Sequence, residues 1–375
     1  MLNIVFLGGE DVSARIDISK KLIDMGCGVG IVGSESKEVF DSNNINYTKF
    51  NLNREFSFID DIKSVLSLRK ILKQNCEELI VHAFDTKLTV FLPIAAYGLK
   101  HVKVVRTING MGRLFSEGSL KNKFLILIYR SIQRIVKHNV QFTIFQNSDN
   151  YNYFVKSKLT FKEKSTVIKS SGINLEEYSR EVDDATRSKL RTEYDVLENS
   201  TTFILVSRLI KQKGILNYLE AAKLCHLAGL RYNFLLIGQI DSNEDGVSIE
   251  EIDKHKKYVN YLGRKNNIKE LLSIADVFVL PSYYSEGTPR VLLEASAMSL
   301  AILTTQMPGC NDVLVNGVNG LPVNINDSVD LFEKMKFIAK DQELLKQMQI
   351  NSKKHVENFS LEKVATECFE IYKKI

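Results

Sequence analysis

The chain has 375 residues, 44% of them hydrophobic and 25% charged, and a formal net charge of +5. It reads as an ordinary soluble globular protein with room for two domains, each burying its own core. Its five cysteines, Cys27, Cys76, Cys225, Cys310 and Cys368, are scattered and free of C-x-x-C spacing, which argues against a disulfide framework or a structural zinc and favours a reducing, cytoplasmic setting.

MLNIVFLGGE reads as a first strand entering a glycine turn, not as a secretion signal. The helix-like RIDISKKLIDMG and then GVGIVG follow, and ELIVHAF, KVVRTI and QFTIFQN continue the rhythm. Short apolar runs separated by helix-length segments predict parallel β-α-β units. Charge is uneven along this half: residues 100–170 hold 14 Lys and Arg against 3 Asp and Glu, a net of +11 that leaves −6 for the rest. Such asymmetry suits a face that meets an anionic partner, or a solvated basic surface. Within it, LKNKFLILIYRSIQRIVKH (120–138) interleaves Phe124, Leu125, Leu127, Ile128, Ile132, Ile135 and Val136 with Lys121, Lys123, Arg130, Arg134 and Lys137. Charge interrupts it too often to span a bilayer; an amphipathic helix lying in an anionic interface and ordinary core packing both fit.

A polar, turn-rich stretch near 170–200 reads as the linker. TFILVSR, LNYLEAAKLCHLAG, YNFLLIG, KYVNYLG, ADVFVLPS and LAILTT then repeat the α/β rhythm. In the tail, Leu361, Val364, Ala365, Cys368, Phe369 and Tyr372 make the stripe of a packed helix. The expected domains are 1–175 and 176–355, with a terminal helix, 356–375, packing back towards the first.

ADVFVLPS delivers the chain to the carboxyl end of a buried strand, where open α/β sheets bind ligands. SEGTPRVLLEA (285–295) follows. Thr288 as N-cap and Pro289 as first helical residue predict a helix whose free N–H groups form an anion site suited to a diphosphate. Glu286 can accept hydrogen bonds from the hydroxyls of a neutral polar ligand, and Glu294 can reach a ribose diol. The plain alternatives are a solvated loop acid for Glu286 and an i, i+4 salt bridge to Arg290 for Glu294.

Residues 286–298, EGTPRVLLEASAM, resemble the E-x7-E region of retaining, nucleotide-sugar-dependent glycosyltransferases of family 4. SRLIKQKGI resembles the segment in which a basic pair, here Arg208 and Lys213, grips the donor diphosphate. YLGRKNNIKELLSIADVFVLPS, MPGCNDVLVNGVNGLPV and SSGINLEEY are similar to further stretches of the same enzymes, in the same order. More loosely, TINGMGRLF and IFQNSDNYNYF resemble segments of the bacterial subgroup that builds O-antigen, capsule and lipid-linked glycans. Many members have a histidine where Asn109 stands here.

The resemblance implies a GT-B fold, an α/β architecture of two Rossmann-like domains with parallel sheets facing a central cleft. It implies Glu286, Arg208 and Lys213 as catalytic. Glu294, Gly287, Thr288, Pro289, Arg290, Gly263, Arg264, Lys265 and Gly9 would hold the donor. Arg15, Lys87, Asn109, Gly110, Gly112 and Arg113 would hold the acceptor, with Gly8, Asp85 and His82 as further lining, although a lone strand-end histidine is also commonly structural. The implied reaction is retaining transfer of a hexose or N-acetylhexosamine from a UDP-sugar, with a GDP-sugar as the alternative donor, to a polyprenyl-diphosphate-linked glycan. No Asp-x-Asp pair occurs in the chain, and the expectation is no metal and no other cofactor. An anionic membrane surface is the expected partner, with the protein peripheral on the inner face of the cytoplasmic membrane; nucleic acid is not expected, for no recognition motif accompanies the basic region. A sugar-nucleotide 2-epimerase and an inactive nucleotide-sugar-binding protein of the same fold are the competing readings; a dehydrogenase would need a G-x-G-x-x-G turn that LGGEDVSAR lacks.

Overall fold

A computed structural model describes residues 1–53, 57–74, 77–110, 120–178, 182–241, 245–284 and 287–375. They divide into two compact units, Met1–Gly172 together with Leu361–Ile375, and Ile173–Ser360.

In the first unit seven described strands, β1 (Asn3–Leu7), β2 (Gly28–Gly33), β3 (Asn46–Lys49), β4 (Leu79–Ala83), β5 (Val102–Ile108), β6 (Phe142–Phe145) and β7 (Ser165–Val167), pair in the order β3-β2-β1-β4-β5-β6-β7. All these pairings are parallel. Period-2 alternation sends Ile4, Phe6 and Ile80 into one core and Leu7, Leu79 and Val81 into another, so both sheet faces are covered. Helix α1 (Ile16–Asp24) packs in the first core; α2 (Phe58–Lys73) and α3 (Leu88–Ala95) pack in the second, and α4 (Leu120–Val136) lies against α3. The start of α2 is set locally: Ser57 accepts from the Asp60 amide, and Asp60 and Asp61 lie in the first turn with Lys70 and Lys73 in the last.

One cation of the basic stretch is internal. Arg106 on β5 is fully buried and donates to Gln133 on α4, Thr143 on β6 and the carbonyls of Thr89 and Leu159. Burial lowers its guanidinium to about 10, still charged at neutral pH, so this arginine ties helices to the sheet and does not face a partner.

The second unit has β8 (Thr202–Val206), β9 (Asn233–Ile237), β10 (Asn260–Tyr261), β11 (Val277–Leu280), β12 (Ala301–Thr305) and β13 (Gly320–Val323) in the order β10-β9-β8-β11-β12-β13, again parallel. Phe203, Leu205 and Val279 face one core, with α5 (Ile215–Leu227) and α7 (Ser328–Lys340). Ile204, Phe278 and Ile302 face the other, with α6 (Arg290–Ala297). Helix α8 (Gln342–Val356) packs on α6 and β12. In each unit the strand order reverses at one place, between β1 and β4 and between β8 and β11. Crossovers leave in opposite directions there, opening a ligand crevice at the carboxyl ends.

Helix α9 (Leu361–Tyr372) belongs to the first unit. It buries Leu361, Val364, Ala365, Cys368, Ile371 and Tyr372, packs against α1, and pairs Glu362 with Lys21 at 2.7 Å. Tyr372 reaches the buried His82 of β4, whose Nδ1 lies 2.6 Å from its hydroxyl while Nε2 lies 2.7 Å from Thr107 Oγ1. Burial, and then the positive charge of Arg15, hold His82 well below its ordinary 6.5, so it is neutral. The unfolded chain therefore binds a proton near pH 6.5 that the folded chain refuses, and stability is full above 6.5 and falls as pH drops below it. Denaturant titrations from pH 7.5 down to 5 are expected to show a loss approaching about 1.4 kcal/mol per pH unit from this group, and the slope should be shallower by that amount in His82→Gln.

Candidate functional site

At the carboxyl end of the second sheet, several loops are drawn together by main-chain contacts. Ser207 donates to the Ile237 carbonyl, Leu209 to Gln239 and Gly238 to Gly263, at 2.9–3.1 Å. Gly238 has φ +154°, and a Cβ there would lie 1.8 Å from the Ser207 carbonyl oxygen, so only glycine allows this approach. Gly214, at φ +73°, presses the turn after Lys213 onto the Pro281 carbonyl, where a Cβ would come within 2.2 Å. The Gln212 carbonyl accepts from the Tyr283 amide at 2.9 Å and from Ser282 Oγ at 3.2 Å. The segment carrying Arg208 and Lys213 is thereby fixed against the loop that leads to α6.

Arg208 is largely exposed and lies 3.5 Å from Asp241. Lys213 is buried, its ammonium 5.7 Å from the centre of the Tyr284 ring. Arg264 donates to Gln239 Oε1 at 3.3 Å, and the Lys265 ammonium stands 5.2 Å over the Tyr194 ring. Gly287, Thr288 and Pro289 are buried at the start of α6. At the start of α6 the Leu292 amide donates to the Pro289 carbonyl at 3.1 Å; beside it Thr288 Oγ1 is buried with no hydrogen-bond partner among the described residues, as is Gln212 Oε1. Two cations, a helix start and two unanswered polar atoms suit an anionic, hydrogen-bonding ligand.

Glu294 lies one turn further along α6. Its Oε1 accepts from Arg290 Nε and from the Tyr178 hydroxyl, both at 3.0 Å. Burial, and then this carboxylate, push the Tyr178 phenol above its ordinary value, so it acts as a neutral donor. Both bonds converge on one oxygen and pin the carboxylate, leaving Oε2 as acceptor for a diol.

The first unit carries its own cavity, of about 180 Å³, where β1, β4 and β5 end; Gly8, Gly9, Asp11, Arg15, Asp85 and Asn109 are among its walls. The Arg15 guanidinium lies 4.2 Å over the Phe84 ring. Asn109 donates to the Phe84 carbonyl at 3.1 Å, and its Oδ1 is buried without a partner among the described residues.

These features have counterparts in known proteins. Residues 186–355 match the family model of glycosyl transferases group 1. Residues 186–355 are a glycosyl transferases group 1 domain, and the fold is GT-B. The chain is 26% identical over 315 residues to the N,N'-diacetylbacillosaminyl-diphospho-undecaprenol alpha-1,3-N-acetylgalactosaminyltransferase of Campylobacter jejuni, covering 84% of this chain and 81% of that one. It is 29% identical over 324 residues to the UDP-Gal:alpha-D-GlcNAc-diphosphoundecaprenol alpha-1,3-galactosyltransferase of Escherichia coli, covering 85% and 81%. A glycosyltransferase of Rickettsia africae superimposes with TM-score 0.81 at 20% identity over 100% of this chain and 98% of that one. Anabaena HepE, solved with UDP and glucose, does so with TM-score 0.79 at 18% identity over the whole of both chains.

Within the glycosyl transferases group 1 domain, the structure brings together Arg208, Lys213, Gly263, Arg264, Gly287, Thr288, Pro289, Arg290 and Glu294 around the strand ends. Three sequence expectations are corrected. Thr288 is not the N-cap: that position is Pro289, in extended conformation, and α6 begins at Arg290 with no side-chain cap. Lys87 does not line the first unit's cavity, because it is drawn 2.7 Å from Asp61 and 3.0 Å from the Asn53 carbonyl. His82 is buried between Tyr372 and Thr107 and has no place in the cavity wall. Arg15 and Asn109, with Gly8 and Asp85, do line it, and so does Gly9, which was expected to hold the donor; Gly110, directly after Asn109, is half-buried and is not among its walls. Glu286, Gly112 and Arg113 lie outside the described residues. A larger depression, about 580 Å³, sits at the amino ends of β9 and β10 and includes none of the expected site residues. Sequence reading missed Tyr178, Gln212, Asp241 and Phe84, each of which joins the site through contacts distant in sequence. In a calorimetric titration of the protein with UDP, Glu294→Ala is expected to weaken binding by about ten- to a hundredfold, the worth of one or two hydrogen bonds to a charged group. Tyr178→Phe, which frees the carboxylate without removing it, should cost about threefold.

Proposed function

We propose that this glycosyltransferase moves a hexose or N-acetylhexosamine from a UDP-sugar to a polyprenyl-diphosphate-linked glycan, with retention of anomeric configuration and without a metal. The observation that carries the reading is the convergence of Arg208, Lys213 and the start of α6 at the switch point of the second sheet, with Glu294 pinned one turn away. In the reaction the bond between the anomeric carbon and the diphosphate oxygen breaks, and negative charge grows on the departing diphosphate. Arg208, released from its long contact with Asp241, and Lys213 meet that charge, and the helix start adds its dipole. These positions can do what a divalent ion would otherwise do. The acceptor hydroxyl attacks from the face the diphosphate leaves, and its proton passes to a departing phosphate oxygen. Glu286 holds the sugar hydroxyls, and Glu294 holds the ribose through Oε2.

The acceptor assignment is carried over from the Campylobacter and Escherichia relatives, which are transferases to diphospho-undecaprenol-linked sugars, and it fits the surface of the first unit. Phe124, Leu127, Ile128 and Ile135 on α4 are 63%, 57%, 41% and 74% exposed, with Lys123 and Arg134 exposed beside them. Of the apolar set in this helix Val136 is buried and Leu125 and Ile132 are half-buried, so core packing accounts for only part of it. Helix α2 adds exposed Phe58, Ile59, Ile62 and Leu66. No described helix is long and apolar enough to cross a membrane. An apolar stripe with basic flanks lies in an anionic interface by burying the one in the acyl boundary and pairing the other with headgroups. Flotation with phosphatidylglycerol vesicles at low salt is expected to carry the protein up; Leu127→Ser with Ile128→Ser should cut the bound fraction at least about threefold, and indifference of the wild type would remove the membrane from the account.

The direct test presents the protein, in EDTA, with vesicles carrying polyprenyl-diphosphate-linked N-acetylglucosamine and, one at a time, UDP- and GDP-sugars. One UDP-sugar should extend the lipid-linked product by a single residue in the donor's own anomeric configuration, and Glu286→Gln should slow this by about a hundredfold or more. Transfer from a GDP-sugar alone would move the donor class, and dependence on a divalent ion would contradict the charge-stabilisation argument. Nucleotide binding with no transfer to any acceptor would favour a protein that keeps the site without the activity.

A further inference from the structure

The cavity wall of the first unit is tied to the C-terminal helix by a chain of contacts. Tyr372, near the end of α9, lies 2.6 Å from His82 Nδ1, and the opposite ring nitrogen is held 2.7 Å from Thr107 Oγ1 on β5. With both nitrogens engaged the imidazole cannot rotate. Its ring stacks on Phe84 at 4.1 Å between centroids and 28° between planes, and Phe84 carries the Arg15 guanidinium 4.2 Å over its own ring. Phe6 packs edge-on against both His82 and Phe84, at 5.9 and 5.4 Å, closing the remaining side.

Arg15 is the last residue before α1, on a long side chain that costs rotamer entropy to hold in one place. An aromatic platform fixes a guanidinium only as firmly as the platform itself is fixed. Phe84 leaves β4 as the strand ends, so its orientation depends on what lies against it. The residue against it is His82, two positions earlier in the chain, and what orients His82 is Tyr372.

We propose that Tyr372 is a positioning residue: through His82 and Phe84 it sets the direction of Arg15, and with it the grip of the first unit's cavity on the diphosphate or sugar hydroxyls of the acceptor. The inference rests on the acceptor roles that the family resemblance implies for Arg15 and Asn109 in that cavity. Substrate does not touch Tyr372; helix α9 acts at a distance, so its end is part of the acceptor site although it lies about 290 residues from β4 in sequence.

The test is a double-mutant cycle on the full chain. Affinity is measured by calorimetry for a soluble acceptor analogue, farnesyl-diphosphate-linked N-acetylglucosamine, and separately for UDP. Arg15→Ala is expected to weaken the analogue by about tenfold and Tyr372→Phe by about three- to fivefold, with UDP binding within about twofold in both. In Arg15→Ala, the added Tyr372→Phe should cost nothing further, because its effect is exerted through Arg15. A structural defect alone would instead lower the melting temperature and add independently to Arg15→Ala; additivity of that kind overturns the inference and leaves the acceptor reading standing. If Arg15→Ala binds the analogue as the wild type does, the acceptor reading fails and takes the inference with it. Should Tyr372→Phe not fold, Thr107→Val unties the other end of the same imidazole and is expected to give the same non-additive pattern.

Discussion

Main-chain pairing between parallel strands, with both sheet faces covered by helices, decides where this chain can do chemistry. Once Ile4 and Leu7, or Ile204 and Phe203, are committed to opposite cores, the polar groups left inside the first sheet, such as His82, Arg106 and Thr143, are bonded within the fold and not offered to a ligand. Backbone donors and charged side chains become available only where the strands stop. Each sheet has one place where successive crossovers part, and the observed cavity of the first unit and the cluster of cations in the second both lie there.

Different devices then hold the two strand-end sites in shape. In the second unit they are mostly main-chain: glycines at 214 and 238 permit carbonyl contacts that no side chain would tolerate, and the Gln212 carbonyl ties two loops. Such fixing is rigid and independent of charge, which suits a site that must stay organised while diphosphate charge develops. In the first unit the devices are side chains: a buried arginine binding helices to the sheet, and a neutral histidine between a tyrosine and a threonine. There the arrangement depends on protonation, since a charged His82 would set a second cation near Arg15.

Much of this was legible in the residues. The α/β class followed from the rhythm of apolar runs, because strands buried on both faces leave no polar positions to disguise them. The tail stripe at Leu361, Val364, Ala365 and Cys368 marked a packed helix, and all four are buried. Local rules did less well where a longer contact competed. Thr288 had the chemistry of an N-cap, yet Pro289 takes the cap position and leaves the hydroxyl unpartnered. Lys87, expected on the acceptor side, stands just before α3 and is paired with Asp61 of α2. The two readings of Glu294 were never exclusive: one oxygen pairs with Arg290, and the other remains for a ligand. What could not be read at all were contacts across the fold, Tyr178 with Glu294 and Tyr372 with His82, since neither spacing nor pattern links residues 116 and 290 positions apart. Composition also overstated the basic face, because Arg106 is spent inside the core.

The central claim, that the nucleotide is held by the strand ends of the second sheet, is tested most directly by hydrogen exchange of the full chain with and without saturating UDP. Amides of 207–214, 238–239, 263–264, 287–288 and 290–292 are expected to gain protection together, while those of 8–15 and 84–86 stay as in the free protein. Protection confined to 8–15 and 84–86, or to the depression beside residues 256–261, would contradict it.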